Sequence, residues 1–558
     1  MLSAMKRARR VAFLIPLLSV TIAAALPAQT AAQGGAAPQI VIETTGPDGW
    51  RARLGPTNLG GMLSSREGRA LWEPQITPMF GMWQSLIGDE QQFDAARDRL
   101  LSFSGSIRLA LHFEPEGRHD IAQRAALVLD GDGRTSLTDL AAELRQLLDR
   151  GAPGKWVKAE IAGAERQYRG TSKFVMCEPF VRDDRLLVLM GAPEGLDESL
   201  QLADALCRRP LTIDARHPTS PALRVELDAR ALVEMSELFD DDEARAIGTA
   251  LGFDSLDKVT LTVGTAGPRV QADVAVSFRS EARGLFAAFM PKTVGVSQLA
   301  RLLPAKTSGW KVGRFDFLAL GKALVDAIES VEEEDARAEF RKEFGFDLID
   351  DLLVHMDDDV IALGSPLQDF DRALESTWAL AFGLKDEAKF RPAITKMLKK
   401  ATPFLDRAET TDVDGVELWR FGNLLQYDVW IAVGNGMLVV TGGRDGEEEA
   451  AALLRRAKQP DLADATAAQV GDVKRHLPEG LQGLSFLDID SVVSIPMEWW
   501  FELIEELVPF APRNDGEDLD ELEERREQMR ALLKQNRLDT VRTATGYAQD
   551  TWRWRLFW

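Results

Sequence analysis

Reactive side chains are scarce in this chain. Five histidines and two cysteines are spread over 558 residues. No pair among His112, His119, His217, His355 and His476 has ligand spacing on one helix, and His-Glu-x-x-His is absent, which argues against a zinc hydrolase. There is no Gly-x-Ser-x-Gly elbow to expose a nucleophile, and no Gly-x-x-x-x-Gly-Lys loop to cradle a phosphate. Ser308-Gly-Trp-Lys311 matches Ser-x-x-Lys, but that chemistry needs the Ser at a helix start with the Lys one turn on. The run Lys311–Phe315 reads as a strand instead, where the two side chains point apart. No cofactor is implied. Past the N-terminus, no apolar run is long enough to cross a bilayer as a helix.

The N-terminus differs from the rest. Lys6, Arg7, Arg9 and Arg10 precede an apolar stretch from Val11 to Ala25, and small residues follow to Gln33. That order predicts a signal peptide over 1–33 and a periplasmic or extracellular protein. The whole chain carries a net charge of −22, and removal of the leader would take it to about −26. A field of that sign repels nucleic acid and anionic lipid. An oxidising compartment would permit a disulfide between Cys177 and Cys207.

The sequence also repeats itself, at an offset of about 250 residues. Asp184-Arg-Leu-Leu-Val-Leu-Met-Gly191 resembles Asn435-Gly-Met-Leu-Val-Val-Thr-Gly442, and the helices that follow end Ala205-Leu-Cys-Arg-Arg209 and Ala452-Leu-Leu-Arg-Arg456. The helix pattern at Ser136–Asp149 matches Asp386–Lys400, and Phe93-Asp94 matches Phe346-Asp347. A first half over 34–293 and a second over 294–558 follow. In the sister copy Cys177 falls near Tyr427 and Cys207 on Leu454, which favours buried thiols over redox chemistry.

Within each half, period-two alternation marks strands at Ser106–Phe113, Arg124–Leu129, Leu352–Ala362 and Thr377–Leu384. Trp378, Leu380, Phe382 and Leu384 take one face, while Thr377, Ala379, Ala381 and Gly383 take the other. A shorter module closes each half, with strands at Leu223–Leu227, Val259–Val263 and Val270–Phe278, and at Phe486–Ile489, Val541–Thr545 and Trp552–Trp558. Helices with one apolar stripe, such as Leu140, Leu144, Leu147 and Leu148, would cover the larger face. The expected fold is therefore α+β, a tandem duplication of antiparallel sheets with helices packed on one face.

Asp130-Gly-Asp-Gly-Arg-Thr-Ser-Leu-Thr-Asp139 carries part of a calcium loop, with Asp130, Asp132, Ser136 and Asp139 at ligand positions. Val128 falls where the first carboxylate belongs, and a strand-to-helix turn with a Ser cap explains the same residues. The acidic runs at 240–243, 332–335 and 357–359 read as solvated turns or helix starts. Trp499-Trp500-Phe501 reads as the core face of an amphipathic helix.

With the repeat and the Gly252-Phe-Asp-Ser-Leu-Asp257 and Gly345-Phe346-Asp347 signatures, residues 220–465 resemble a family of exported bacterial proteins of unknown function. Thr411-Asp-Val-Asp-Gly-Val-Glu-Leu-Trp419 and the strand Gly436-Met-Leu-Val-Val440 complete that resemblance. It implies an envelope or secreted setting and supplies no catalytic residues. The expected function is non-catalytic binding or scaffolding, toward a protein or another envelope component. The alternatives are a carrier of an apolar ligand or lipid, and a hydrolase that uses acidic residues.

Overall fold

The computed structural model describes residues 37–69, 102–115, 121–133, 135–151, 154–171, 174–213, 221–230, 248–279, 281–290, 295, 297–304, 309–332, 335–364, 377–401, 408–424, 427–443, 445–458, 470–471, 481–488, 528, 531–538, 540–548 and 551–557. The leader at 1–33, Phe93-Asp94, the acidic run at 240–243 and Trp499-Trp500-Phe501 lie outside them.

Strands numbered in chain order join into one antiparallel sheet. From its middle outward, the first arm runs β11 (Arg269–Phe278), β10 (Leu256–Ala266), β9 (Leu223–Asp228), β1 (Ile40–Thr45), β2 (Ser106–Pro115), β3 (Ile121–Asp130) and β8 (Arg185–Gly191). The far side of β8 takes both β7 (Phe180–Arg182) and β6 (Val175–Cys177), and β6 leads on to β5 (Ala164–Gly170) and β4 (Val157–Ile161).

The second arm runs β21 (Thr551–Phe557), β20 (Thr540–Ala548), β19 (Leu481–Asp488), β12 (Gly309–Arg314), β13 (Met356–Leu363), β14 (Trp378–Leu384) and β18 (Met437–Gly442). It ends in β17 (Tyr427–Gly434), β16 (Val416–Leu424) and β15 (Ala408–Val413). The two arms share one order of pairing. They meet where Gln271–Ser277 of β11 lies antiparallel to Thr551–Phe557 of β21. Among the described residues the two ends, β4 and β15, do not pair with each other.

The expectation of helices on one face needs correcting, because each arm carries a helix on both faces. In the second arm, Phe390, Ala393, Ile394 and Leu398 of the Glu387–Ala401 helix pack with Phe382, Leu384 and Leu438. On the opposite face, Ala450, Leu453 and Leu454 of the Gly446–Arg456 helix pack with Ala379, Ala381 and Val439. The first arm repeats this. Leu137, Leu140 and Leu144 of the Leu137–Gly151 helix cover Leu127 and Leu129, while Leu200, Ala203 and Leu206 of the Leu196–Arg208 helix cover Ala126 and Val128. The alternation itself was read correctly. Small side chains on the second face are there because a helix backbone approaches closely, not because the face meets water.

Hairpin turns fix which residue shares which face. Asp183 and Asp184 take positive φ before β8, as do Asn435 and Gly436 before β18. Arg185 therefore corresponds to Met437, one residue off the sequence match of Asp184 with Asn435. In a period-two structure that single step exchanges the faces, which is why Leu187 and Val439, rather than Leu187 and Leu438, face the second helix.

Gly-Phe-Asp is a stop-and-cap device. Gly345 takes φ +76 at the end of the Ala336–Phe344 helix, Phe346 is buried, and the Asp347 carboxylate accepts from the backbone N–H groups of Ile349 (2.8 Å) and Asp350 (2.9 Å). Arg337 (2.8 Å) and Arg341 close on the same carboxylate. Gly252 repeats the left-handed turn at φ +85, with Phe253 packed against Phe286. Past Asp347 a wide turn at Leu348–Leu352 and a tighter one at Leu353–His355 delay β13 to Met356, four residues beyond the expected start.

Burial works to raise the Asp347 pKa, but Arg337, Arg341 and the two backbone N–H groups outweigh it and hold the carboxyl at about 2. A folded value below the unfolded one stabilises above pH about 4, and that stabilisation is lost as the pH falls toward 2. Asp347→Asn is expected to lose about 2 kcal/mol at neutral pH. In urea titrations at several pH values, the gap to the parent should close between pH about 4 and about 2.

Candidate functional site

Shared strand order lets one row of residues be compared with another. In the second arm, Leu484, Val312, Ile361, Ala381 and Val439 stand side by side on β19, β12, β13, β14 and β18. All five are buried apolar residues of one core cluster. The corresponding row of the first arm is Arg224, Glu43, Arg108, Val128 and Leu187 on β9, β1, β2, β3 and β8. In the next row, Phe486 and Trp310 stack at 6.1 Å in the second arm, where the first arm has Glu226 and Val41. Four charged side chains thus stand in the first arm where the second has Leu484, Val312, Ile361 and Phe486.

Those charges are arranged in two layers. Arg108, 1% exposed, lies deepest and grips Asp130 at the end of β3 through Nε (2.9 Å) and Nη2 (2.7 Å). Nη1 reaches the Leu206 carbonyl in the last turn of the Leu196–Arg208 helix, which also accepts from the Arg209 backbone N–H (3.2 Å). Arg185 Nε (2.8 Å) and the Ser106 hydroxyl (2.7 Å) complete the Asp130 shell. Such a pair stays in place because every donor is matched; removal of one partner would leave a buried charge.

Above it opens a cleft of about 190 Å³, lined by Val41, Glu43, Arg209, Pro210, Thr212, Arg224, Glu226 and Lys258. Three cations converge on Glu226. Arg209 Nη2 (2.9 Å) and Lys258 Nζ (3.0 Å) reach Oε1, and Arg224 Nη2 (2.8 Å) reaches Oε2. Burial would raise the Glu226 pKa, but Lys258 and Arg209 overcome it and set it below the ordinary carboxylate range. Glu43 goes the other way. It is 4% exposed, and burial raises its pKa against the pull of Arg108, Arg224 and Arg209, with Thr212 bonded to the carboxylate. Two carboxylates on the neighbouring strands β1 and β9 are thus driven in opposite directions within one cleft, a pattern associated with functional sites.

The residues of the calcium-loop reading are not brought to a common point. Asp130 is held by Arg108 and Arg185, and Asp132 accepts from the Ser104 and Thr135 backbone N–H groups (3.1 and 2.7 Å). Ser136 caps the Asp139 N–H of the next helix (3.3 Å). Cys177 and Cys207 are free thiols, and burial pushes Cys177 up to about 12. His112 is held by the Ala37 carbonyl (2.8 Å), and burial lowers its pKa. His119, His217 and His476 lie outside the described residues. Lys311 lies in β12, as the strand reading of Ser-x-x-Lys required, while Ser308 is outside the described residues. The sequence reading missed the cleft. The corresponding positions of the second arm are apolar, a contrast that becomes visible only once the strand registers are known.

No family model matches the chain, and no curated protein matches it. Two solved structures, crystal forms I and III of TP0453, are each 9% identical to it. They cover 47% of this chain and 84% and 86% of their own, with TM-scores of 0.21 and 0.22. A likeness at that level carries no argument about fold or function.

Replacement of buried ion pairs by well-packed apolar residues is often neutral or stabilising by about 1–4 kcal/mol. The combined variant Glu43→Val/Arg224→Leu/Glu226→Phe, which copies the second arm, is therefore expected to fold with an unchanged or raised melting temperature. Glu226→Ala alone takes the shared carboxylate from Arg209, Arg224 and Lys258; because Arg209 and Lys258 stay about two-fifths exposed, it should lose about 1 kcal/mol. Calorimetry of both variants checks this pair of outcomes. The Cys177 thiol should resist alkylation at pH 8 until denaturant is added, as mass spectrometry of iodoacetamide-treated protein would read.

Proposed function

We propose that this is an exported, non-catalytic binding protein built by tandem duplication, and that its first arm has exchanged part of an inherited apolar core for a ligand-binding cleft. The supporting observation is the row comparison: Arg224, Glu43, Arg108 and Glu226 stand where Leu484, Val312, Ile361 and Phe486 fill the second arm. Folding alone does not call for that exchange, since ion pairs at core positions contribute little net stability. The shared strand order supports duplication, and the leader-like N-terminus supports export.

A second reading, carriage of an apolar ligand, rests on the middle of the sheet. Val225, Leu261, Val274 and Trp554 are paired in succession across β9, β10, β11 and β21, and all four are half-buried. Organic extraction of purified protein followed by mass spectrometry tests it; a stoichiometric lipid would favour this reading over the cleft.

For the cleft, thermal-shift titration of the purified chain against small neutral, anionic and cationic compounds is the direct test. At least one class is expected to stabilise the parent saturably and to leave the Glu43→Val/Arg224→Leu/Glu226→Phe variant unmoved. Equal shifts in both proteins, or substrate turnover by the parent, would overturn the reading.

A further inference from the structure

We propose, building on the cleft assigned above, that its ligand is a small organic carboxylate, and that Glu226 occupies the place of the ligand's carboxylate when the cleft is empty. The geometry around Glu226 already displays the recognition. One oxygen is shared by Arg209 and Lys258, at 2.9 and 3.0 Å, and the other is taken by Arg224 at 2.8 Å. Three donors are spaced for the two oxygens of a planar carboxylate, and guanidinium groups favour that geometry.

Charge points the same way. The lining holds three cations, Arg209, Arg224 and Lys258, against two carboxylates, in a chain whose net charge is −22. Asp228 stands across from Lys258 in the β9–β10 pairing but is not part of the lining.

The cleft's size and walls narrow the class further. A volume of about 190 Å³ equals about six water molecules, which suits an acid of a few carbons. Val41 and Pro210 offer apolar surface for its chain. Glu226 lines the cleft with its side chain 11% exposed, and displacement by the ligand would turn its carboxylate toward solvent. A tethered internal competitor keeps the parent's affinity low. Removal of that competitor's charge should therefore tighten binding, and selectivity for a carboxylate over phosphate separates a recognition site from a cluster that attracts any anion.

Isothermal titration of the full chain with butyrate, inorganic phosphate and butylamine tests this. Butyrate is expected to bind the parent weakly and Glu226→Gln at least tenfold more tightly. Arg224→Gln and Lys258→Gln should each weaken butyrate binding in the Glu226→Gln background, with circular dichroism confirming that each variant is folded. Unchanged or weaker butyrate binding to Glu226→Gln overturns the proposal, as does binding of phosphate without butyrate. Binding of butylamine in place of butyrate, abolished by Glu43→Val/Arg224→Leu/Glu226→Phe, would end the carboxylate inference but leave the cleft as a binding site. If the thermal-shift panel also fails to separate the parent from that combined variant, both readings fall together.

Discussion

The ladder between β11 and β21 is the constraint on which the rest of the sheet depends. Seven residues of one strand, Gln271–Ser277, pair with seven of the other, and Asp273 and Arg555 add an ion pair across the seam. Each arm fans outward from that seam in the same order, so registers on both sides can be compared position by position. Side-chain period in a strand is two, and register therefore decides not only which residues neighbour each other but which face each occupies.

Much of this organisation was legible in the sequence. Strands at Ser106–Phe113 and Thr377–Leu384 and the two helices that follow were visible because their apolar residues recur at clear periods. Placing all helices on one face failed for a physical reason. Ala110, Ala126, Ala379 and Ala381 look like a surface that needs no cover, yet small side chains are also what a closely docked helix requires. The Asp184–Asn435 match erred by one step because the chemical likeness of turn residues does not fix register, whereas the positive φ angles do. The charged cleft escaped notice because Arg224 and Glu226 alternate with Leu223, Val225 and Leu227, as on any half-solvated strand. Only the three-dimensional register sets them beside Glu43 and against the apolar row of the other arm.

The two arms thus solve one packing problem in two ways. Beneath the Gly446–Arg456 helix, Trp310 and Phe486 stack and Leu484 fills in behind them, an arrangement that excludes water. Beneath the end of the Leu196–Arg208 helix, Arg108 and Asp130 are fully matched while the layer above them stays open to solvent. The lower layer is buried and bonded within itself, while the upper layer gathers its three cations on one carboxylate at the wall of a cleft.

The seam also bears on how the protein reaches this state. The strand that covers β11 comes from residues 551–557, nearly three hundred positions further along the chain. As the polypeptide is made, the earlier arm carries a raw edge of backbone donors and acceptors until that late segment arrives. Unpaired edges recruit strands from other molecules. Assembly of this sheet is therefore a race between a distant intramolecular partner and any neighbour in the same compartment, and slow delivery of the final strand hands the advantage to the neighbour.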